Sequence, residues 1–236
     1  MFFPIGDDQI KGGHKPYFSY AFIALNVMVF LYQFSLGIEA GNEFVWNFGA
    51  IPANVSSGNN YLTIFSSMFM HGGWMHLIGN MAFLWVFADN IEAVIGNTYF
   101  FIFYIIGGVA ATMAHVLIDP SSTIPTVGAS GAIAAVLGAY IVMFPSSKIK
   151  LLLVVFMRVF RWPAIAFLGI WIGQQLLSGF GSLGVDTSGG GTAWWAHIGG
   201  FVFGAFVGLY LRKQYDTPGN YASGEMPSLP GRQRSA

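Results

Sequence analysis

Long apolar runs separated by short polar stretches set the outline of this chain. Residues 17–38, 74–88, 99–118, 128–144, 163–177 and 192–211 are apolar and nearly free of charge. Each approaches the roughly 20 residues that a helix needs to cross a hydrocarbon core, so the pattern predicts an all-α membrane protein with six transmembrane helices. The fourth run is short. From Gly128 it ends at Phe144 before Pro145, about 26 Å at roughly 1.5 Å per residue. It falls short of a hydrocarbon core about 30 Å thick. Pro125 and Gly128 predict a non-helical entry, with Ser130 in the first turn of a recessed helix.

Between the spans, residues 39–70 form a long loop rich in aromatic and apolar residues (Phe44, Trp46, Phe48, Phe65, Phe69). A loop of that length carries structure or function, and its composition predicts partial immersion in the membrane. Residues 146–162 carry Lys148, Lys150, Arg158 and Arg161 around an apolar middle too short to span. They are expected to lie on the membrane surface. Residues 178–191 read as a Gly/Ser-rich loop, and the Pro/Gly/Ser-rich stretch 216–236 reads as disordered. The expected organisation is a polar segment 1–16, a six-span domain 17–211 and a tail 212–236.

Composition agrees with this outline. Of 236 residues, 55% are hydrophobic and 8% charged, against about 25% charged in a soluble domain. A formal net charge of zero argues against nucleic-acid binding. The absence of cysteine excludes disulfides and thiolate metal sites, and residues 1–16 show no signal-peptide pattern. Charge also orients the bundle. With six spans, all ten basic residues (Lys11, Lys15, Lys148, Lys150, Arg158, Arg161, Arg212, Lys213, Arg232 and Arg234) fall on one side, and Glu39, Glu43, Asp119 and Asp186 on the other. The positive-inside rule puts both termini in the cytoplasm, as in a bacterial inner membrane.

Orientation fixes the depth of the polar residues inside the spans. Ser130 opens span four on the outer side. His197 lies about one turn into span six, also from the outer side. His76 and Asn80, at i and i+4 on one face of span two, lie one and two turns below the same surface. Polar groups at such depths face the bundle interior or water. Gly200, Gly204 and Gly208 form a small-residue stripe below His197, and Gly131, Ala134, Ala135 and Gly138 form a smooth face below Ser130. Packing these faces together brings Ser130 to His197, the minimum for an activated nucleophile. The Ser130 N–H, with His76 and Asn80, is placed to stabilise an oxyanion. No carboxylate shares this level, so a Ser–His dyad is expected rather than a triad. Taken singly, Asn80 reads as interhelical glue and a lone histidine as a helix contact; the coincidence at one depth changes that reading. His71 is expected to tie down the long loop and His115 to make a structural polar contact. His14, in the polar segment, is uninformative.

These residues resemble the rhomboid family of intramembrane serine proteases. The matching motifs are Gly128-Ala129-Ser130-Gly131 (GxSG), His76 to Asn80 within the run that begins at His71 (HxxxN), and Ala196-His197 followed by Gly200 and Gly204. They occur in family order over residues 17–211. The resemblance implies a six-span bundle in which Ser130 is the nucleophile and His197 the general base. It also implies that His76, Asn80 and the Ser130 amide form the oxyanion hole. Gly128, Gly131, His71, Gly200 and Gly204 would be structural supports, and Glu92 a structural acid. It implies no metal or organic cofactor, transmembrane proteins as substrates, and cleavage near the outer face. The family often has Trp-Arg in the first loop, where this chain has Tyr61-Leu62.

Other readings make distinct expectations. A transporter would continue the polar path inward, yet spans four and six are small and apolar below Ser130 and His197. A non-catalytic relative that binds transmembrane helices usually lacks the serine or histidine. A haem protein using His76 and His197 as ligands would show a Soret band. The sequence does not name the substrate or the oligomeric state.

Overall fold

The computed structural model describes residues 2–7, 14–183 and 192–214. Its helices are α1 (Tyr17–Ser35), α2 (Gly37–Phe48), α3 (Pro52–Ser56), α4 (Thr63–Ser66), α5 (Trp74–Ile95), α6 (Asn97–Ile118), α7 (Ser130–Met143), α8 (Ala164–Gly181) and α9 (Trp194–Gln214). Three strands accompany them: β1 (Phe2–Gly6), β2 (Lys148–Leu153) and β3 (Arg158–Pro163). Five helices (α1, α5, α6, α8 and α9) are long and apolar enough to cross a membrane, and α7 is a shorter apolar helix. The protein is an integral, multi-pass helical membrane bundle, and these six helices are the six apolar runs.

The bundle is built around α7. Its 14 residues span about 21 Å, and all but Ser130, Ile141 and Val142 are buried. A helix that is apolar all round belongs in a core, here between α5, α6 and α9. The α7–α9 seam is as close as backbones allow. A Cβ on Gly204 would run into the Ala135 carbonyl, and one on Gly208 would lie 2.9 Å from Ala139 Cα. From the other side, a Cβ on Gly138 would meet the carbonyl of Phe201. Both predicted small-residue faces therefore meet. α5 turns into α6 with only Gly96 between them; its φ of 81° is the left-handed conformation that glycine adopts without steric cost.

The first loop folds as α2, α3 and α4. It is tied to the segment preceding α7 by an antiparallel bridge between Ala50 and Thr126 and by the Ala53 N–H donating to the Ser122 carbonyl at 2.9 Å, and it is closed on itself by the Ser66 hydroxyl donating to the Phe48 carbonyl at 2.6 Å. Tyr61 and Leu62 are exposed, so the loop is anchored through other residues.

Two segments carry strands that the sequence pattern did not announce. Residues 146–162 contain a β-hairpin: β2 and β3 pair antiparallel from Lys148–Pro163 to Leu153–Arg158. The period-2 signal is present, since Ile149 and Leu151 are fully buried while Lys148 is exposed. Within the polar segment 1–16, β1 adds a third strand to β2. Asp7, just beyond it, is buried, and its carboxylate accepts hydrogen bonds from Asn90 Nδ2 at 2.9 Å and from the Tyr140 hydroxyl. Residues 184–191 of the Gly/Ser-rich loop and 215–236 of the tail lie outside the described residues.

Candidate active site

Ser130 is the first residue of α7, so its N–H has no carbonyl one turn earlier in the helix to bond to. The entry into the helix is fixed from both sides. The Gly128 N–H donates to the Ser67 carbonyl at 2.9 Å, and Gly128 has φ 131°. A Cβ on Gly128 would lie 2.8 Å from His76 Nε2 and 3.6 Å from Ser130 Oγ. Glycine is required there twice over, by conformation and by space. The imidazole of His76 and the hydroxyl of Ser130 flank the same point.

His197, one turn into α9, places its Nε2 2.8 Å from Ser130 Oγ. The α7–α9 seam below sets this separation: a Cβ on Gly200 would collide with the Gly131 carbonyl, one residue from Ser130. The imidazole is half-buried and flanked by Trp171, with ring centroids 5.8 Å apart, and by Trp194 at 6.3 Å. Its Nδ1 lies 2.7 Å from Oε1 of Gln175, a buried residue of α8.

On α5, Asn80 Nδ2 lies 2.9 Å from His71 Nε2. His71 is fully buried. Burial, and secondarily the neighbouring His76, pushes its imidazole down to about 3. A neutral ring can accept at Nε2, so His71 takes one of the two amide protons of Asn80 and leaves the other free. The His71 main-chain carbonyl in turn accepts from Gln33 Nε2 of α1 at 2.9 Å, which links this end of the loop to α1. His76 is edge-on to His71, with centroids 5.1 Å apart.

Ser130, His197, His76 and Asn80 all line one cavity of about 790 Å³, together with Thr126 and Trp194. Its lining also includes Asp119, Ser122 and Thr192, so it extends to the loop ends of α6 and α9, the level read as the outer side. His115 lines the same cavity, with its Nδ1 buried and without a hydrogen-bond partner among the described residues. Glu92 lies at the other end of α5. Its buried carboxylate accepts from the N–H groups of Phe18 and Ser19 and from the Ser19 hydroxyl at 2.6–2.9 Å. Among the described residues, no group of three or more His, Cys, Asp or Glu is arranged to hold a metal.

Residues 58–214 match the Rhomboid domain. The chain belongs to the rhomboid family. This rhomboid is 28% identical over 197 residues to the Rhomboid protease GluP of Bacillus subtilis, covering 84% of this chain and 35% of that protein. It is 28% identical over 205 residues to Rhomboid protein 1, mitochondrial, of Saccharomyces cerevisiae, covering 85% of this chain and 55% of that one. Identity to RHOMBOID-like protein 5 of Arabidopsis thaliana is 30% over 169 residues, 71% of this chain and 50% of the relative. The chain thus spans about a third to just over half the length of these relatives.

Sequence reasoning missed Gln175. The signal was there: Gln174-Gln175 is a polar pair within an otherwise apolar run. In α8 it lies about 9 Å below the outer helix end, near the depth assigned to His197.

Proposed function

We propose that this rhomboid is a serine endopeptidase that cuts transmembrane proteins within the membrane, near its outer face. The observation that carries the proposal is the 2.8 Å contact between Ser130 Oγ and His197 Nε2, in a cavity that reaches the loop residues Asp119, Ser122 and Thr192, the level that the charge pattern assigns to the outer side. Ser130 is the nucleophile and His197 the general base. As Oγ attacks the scissile carbonyl, its proton passes to His197 Nε2 and an Oγ–C bond forms. The oxyanion is held by the Ser130 N–H, the free amide proton of Asn80 and His76. The C–N bond then breaks, and the leaving amine takes the proton from His197. Water, entering through the cavity, attacks the ester with His197 again as base and frees Ser130. One oxyanion donor is typically worth about 2.7–4 kcal/mol. Nothing in this sequence of steps calls for a metal or cofactor.

The basic residues all on one side support a cytoplasmic location for residues 1–16 and 212–236 around the six-span domain 17–211. That orientation fits a bacterial inner membrane. The full chain in detergent is incubated with a fluorophosphonate probe and a single-span reporter substrate, beside Ser130→Ala. Labelling and cleavage should both fall to background in the variant. Cleavage that survives the substitution would remove Ser130 from its role. A well-folded chain that neither labels nor cuts any reporter would point to a relative that binds transmembrane helices without cutting them.

A further inference from the structure

We infer that Gln175 is a positioning residue for the proposed reaction: its side-chain carbonyl holds the His197 ring in the tautomer and orientation that leave Nε2 free to take the Ser130 proton. This rests on the assignment of Ser130 and His197 above. The argument begins with the amide itself. Gln175 Nε2 donates to the Trp171 carbonyl one turn earlier on α8, at 3.1 Å. Turning the amide over would set Oε1 against that carbonyl, acceptor facing acceptor. The amide is therefore fixed with Oε1 toward His197 Nδ1, 2.7 Å away. An oxygen there can only accept, so the proton of neutral His197 resides on Nδ1. Nε2 then carries the lone pair, and at 2.8 Å it accepts the hydrogen bond from the Ser130 hydroxyl.

The same bond serves the charged form. Once Nε2 has taken the proton, Nδ1–H still donates to Oε1, now as a stronger, charge-assisted bond. The titratable groups closest to His197 are His76 on α5 and His115 on α6, both basic; α7 and α8 offer it Ser130 and Gln175. No carboxylate offsets the imidazolium among the described residues. A carboxylate in this position would be a buried charge on an apolar helix, which is expensive to desolvate. An amide supplies the acceptor without that charge, the division of labour seen when asparagine orients histidine in Cys-His-Asn proteases. Gln175 is 4% exposed and Trp171 packs beside the same imidazole, so one turn of α8 holds His197 by both its ring face and its ring edge.

The test compares Gln175→Met, which keeps the length of the side chain and removes the acceptor, with Gln175→Glu, which keeps an acceptor oxygen. The full chain is used in detergent with the single-span reporter and the fluorophosphonate probe, beside Ser130→Ala. Loss of one hydrogen bond to a group that becomes charged predicts that kcat falls about 10- to 100-fold in Gln175→Met. KM should stay within about twofold, since the substrate does not touch the amide, and probe labelling should slow in step with kcat. Gln175→Glu, entering as the neutral acid so that its O–H replaces the amide donor to the Trp171 carbonyl while its C=O still faces Nδ1, should recover most of that loss. A residue that merely fills space would instead be replaced by Met with little change and would be harmed by Glu. Unchanged kcat in a Met variant that still depends on Ser130 would overturn the positioning role and leave the nucleophile in place. Activity persisting in Ser130→Ala would overturn the underlying assignment. Should the Met variant fail to fold, proton NMR of the native chain decides the matter. A hydrogen-bonded ring N–H resonance that is lost in His197→Ala supports the inference, and its absence from the native protein overturns it.

Discussion

At the scale of single residues, the proposed chemistry is carried by polar groups each held by a second polar group. Asn80 is oriented by His71, and His197 by Gln175. His71 is the case where this has a consequence for stability. Folding lowers its imidazole from the usual 6.5 to about 3, chiefly through burial. Above 6.5 both folded and unfolded states carry it neutral, and its contribution is fully present. Between 6.5 and 3 only the unfolded state takes up the proton, so stability is lost as the pH falls. From pH 7 to pH 5 the loss amounts to about 2 kcal/mol from this residue alone. His71→Gln, which does not titrate, should show a shallower fall in unfolding temperature over that interval than the wild-type chain. Equal slopes in the two proteins would mean that His71 is protonated in the folded state or exposed to water. The Asn80 contact itself should be indifferent to pH between 5 and 8, because the folded ring stays neutral throughout.

At the scale of helices and strands, the glycines separate into two kinds. Those of the α7–α9 seam have another backbone where a Cβ would go, whereas Gly173 on α8 has nothing within 4 Å. Gly204→Ala must therefore push the two helices apart. Overpacking of this kind costs about 3 kcal/mol. Because the same seam sets the distance from Ser130 to His197, turnover should fall as well, by up to about 100-fold for a displacement of about 1 Å. Gly173→Ala should leave activity alone and raise stability by roughly 0.5–1 kcal/mol, the ordinary gain for alanine over glycine in a helix. Thermal unfolding and kcat on the two variants check the contrast; a harmless Gly204→Ala would mean that the seam is looser than described.

This seam was legible in the sequence because four-residue spacing of small residues is a local signal that survives without knowledge of the partner. The pairing of β1 was not: it joins a segment about 145 residues away, and pairing over that distance leaves no trace in either segment alone, although β2 carries its own period-2 signal. The amide of Gln175 was invisible for a related reason. Its meaning lies in a contact between α8 and α9, which neither helix shows alone, and the third member of a catalytic constellation is usually a carboxylate.

At the scale of the whole molecule, the question is what holds peripheral helices to the core. Lipid tails are as apolar as leucine, so apolar burial between helices gives little drive to associate in a membrane. α1 has 22% of its apolar window buried, against 56% for α5, yet it is fastened at both ends by polar contacts. At one end the Gln33 amide donates to the His71 carbonyl. At the other, Glu92 accepts three hydrogen bonds from the first turn of α1, satisfying backbone N–H groups that a helix start leaves unpaired and placing negative charge at its positive end. Glu92→Ala removes the acceptor from all three donors at once. At roughly 1–3 kcal/mol for each buried donor left unpaired, some of which recover water near the membrane surface, the net loss should be at least about 2 kcal/mol in thermal unfolding. Glu92 follows Asn80 by twelve residues on α5, about 18 Å along the helix, and neither α7 nor α9 bonds to it among the described contacts. Turnover per active site, counted by fluorophosphonate titration, should therefore be unchanged at a temperature where the variant stays folded. If turnover per labelled site dropped together with stability, α1 would be part of the machinery that positions Ser130 and His197, with Gln33 and His71 as the polar route from it to Asn80 among the described residues.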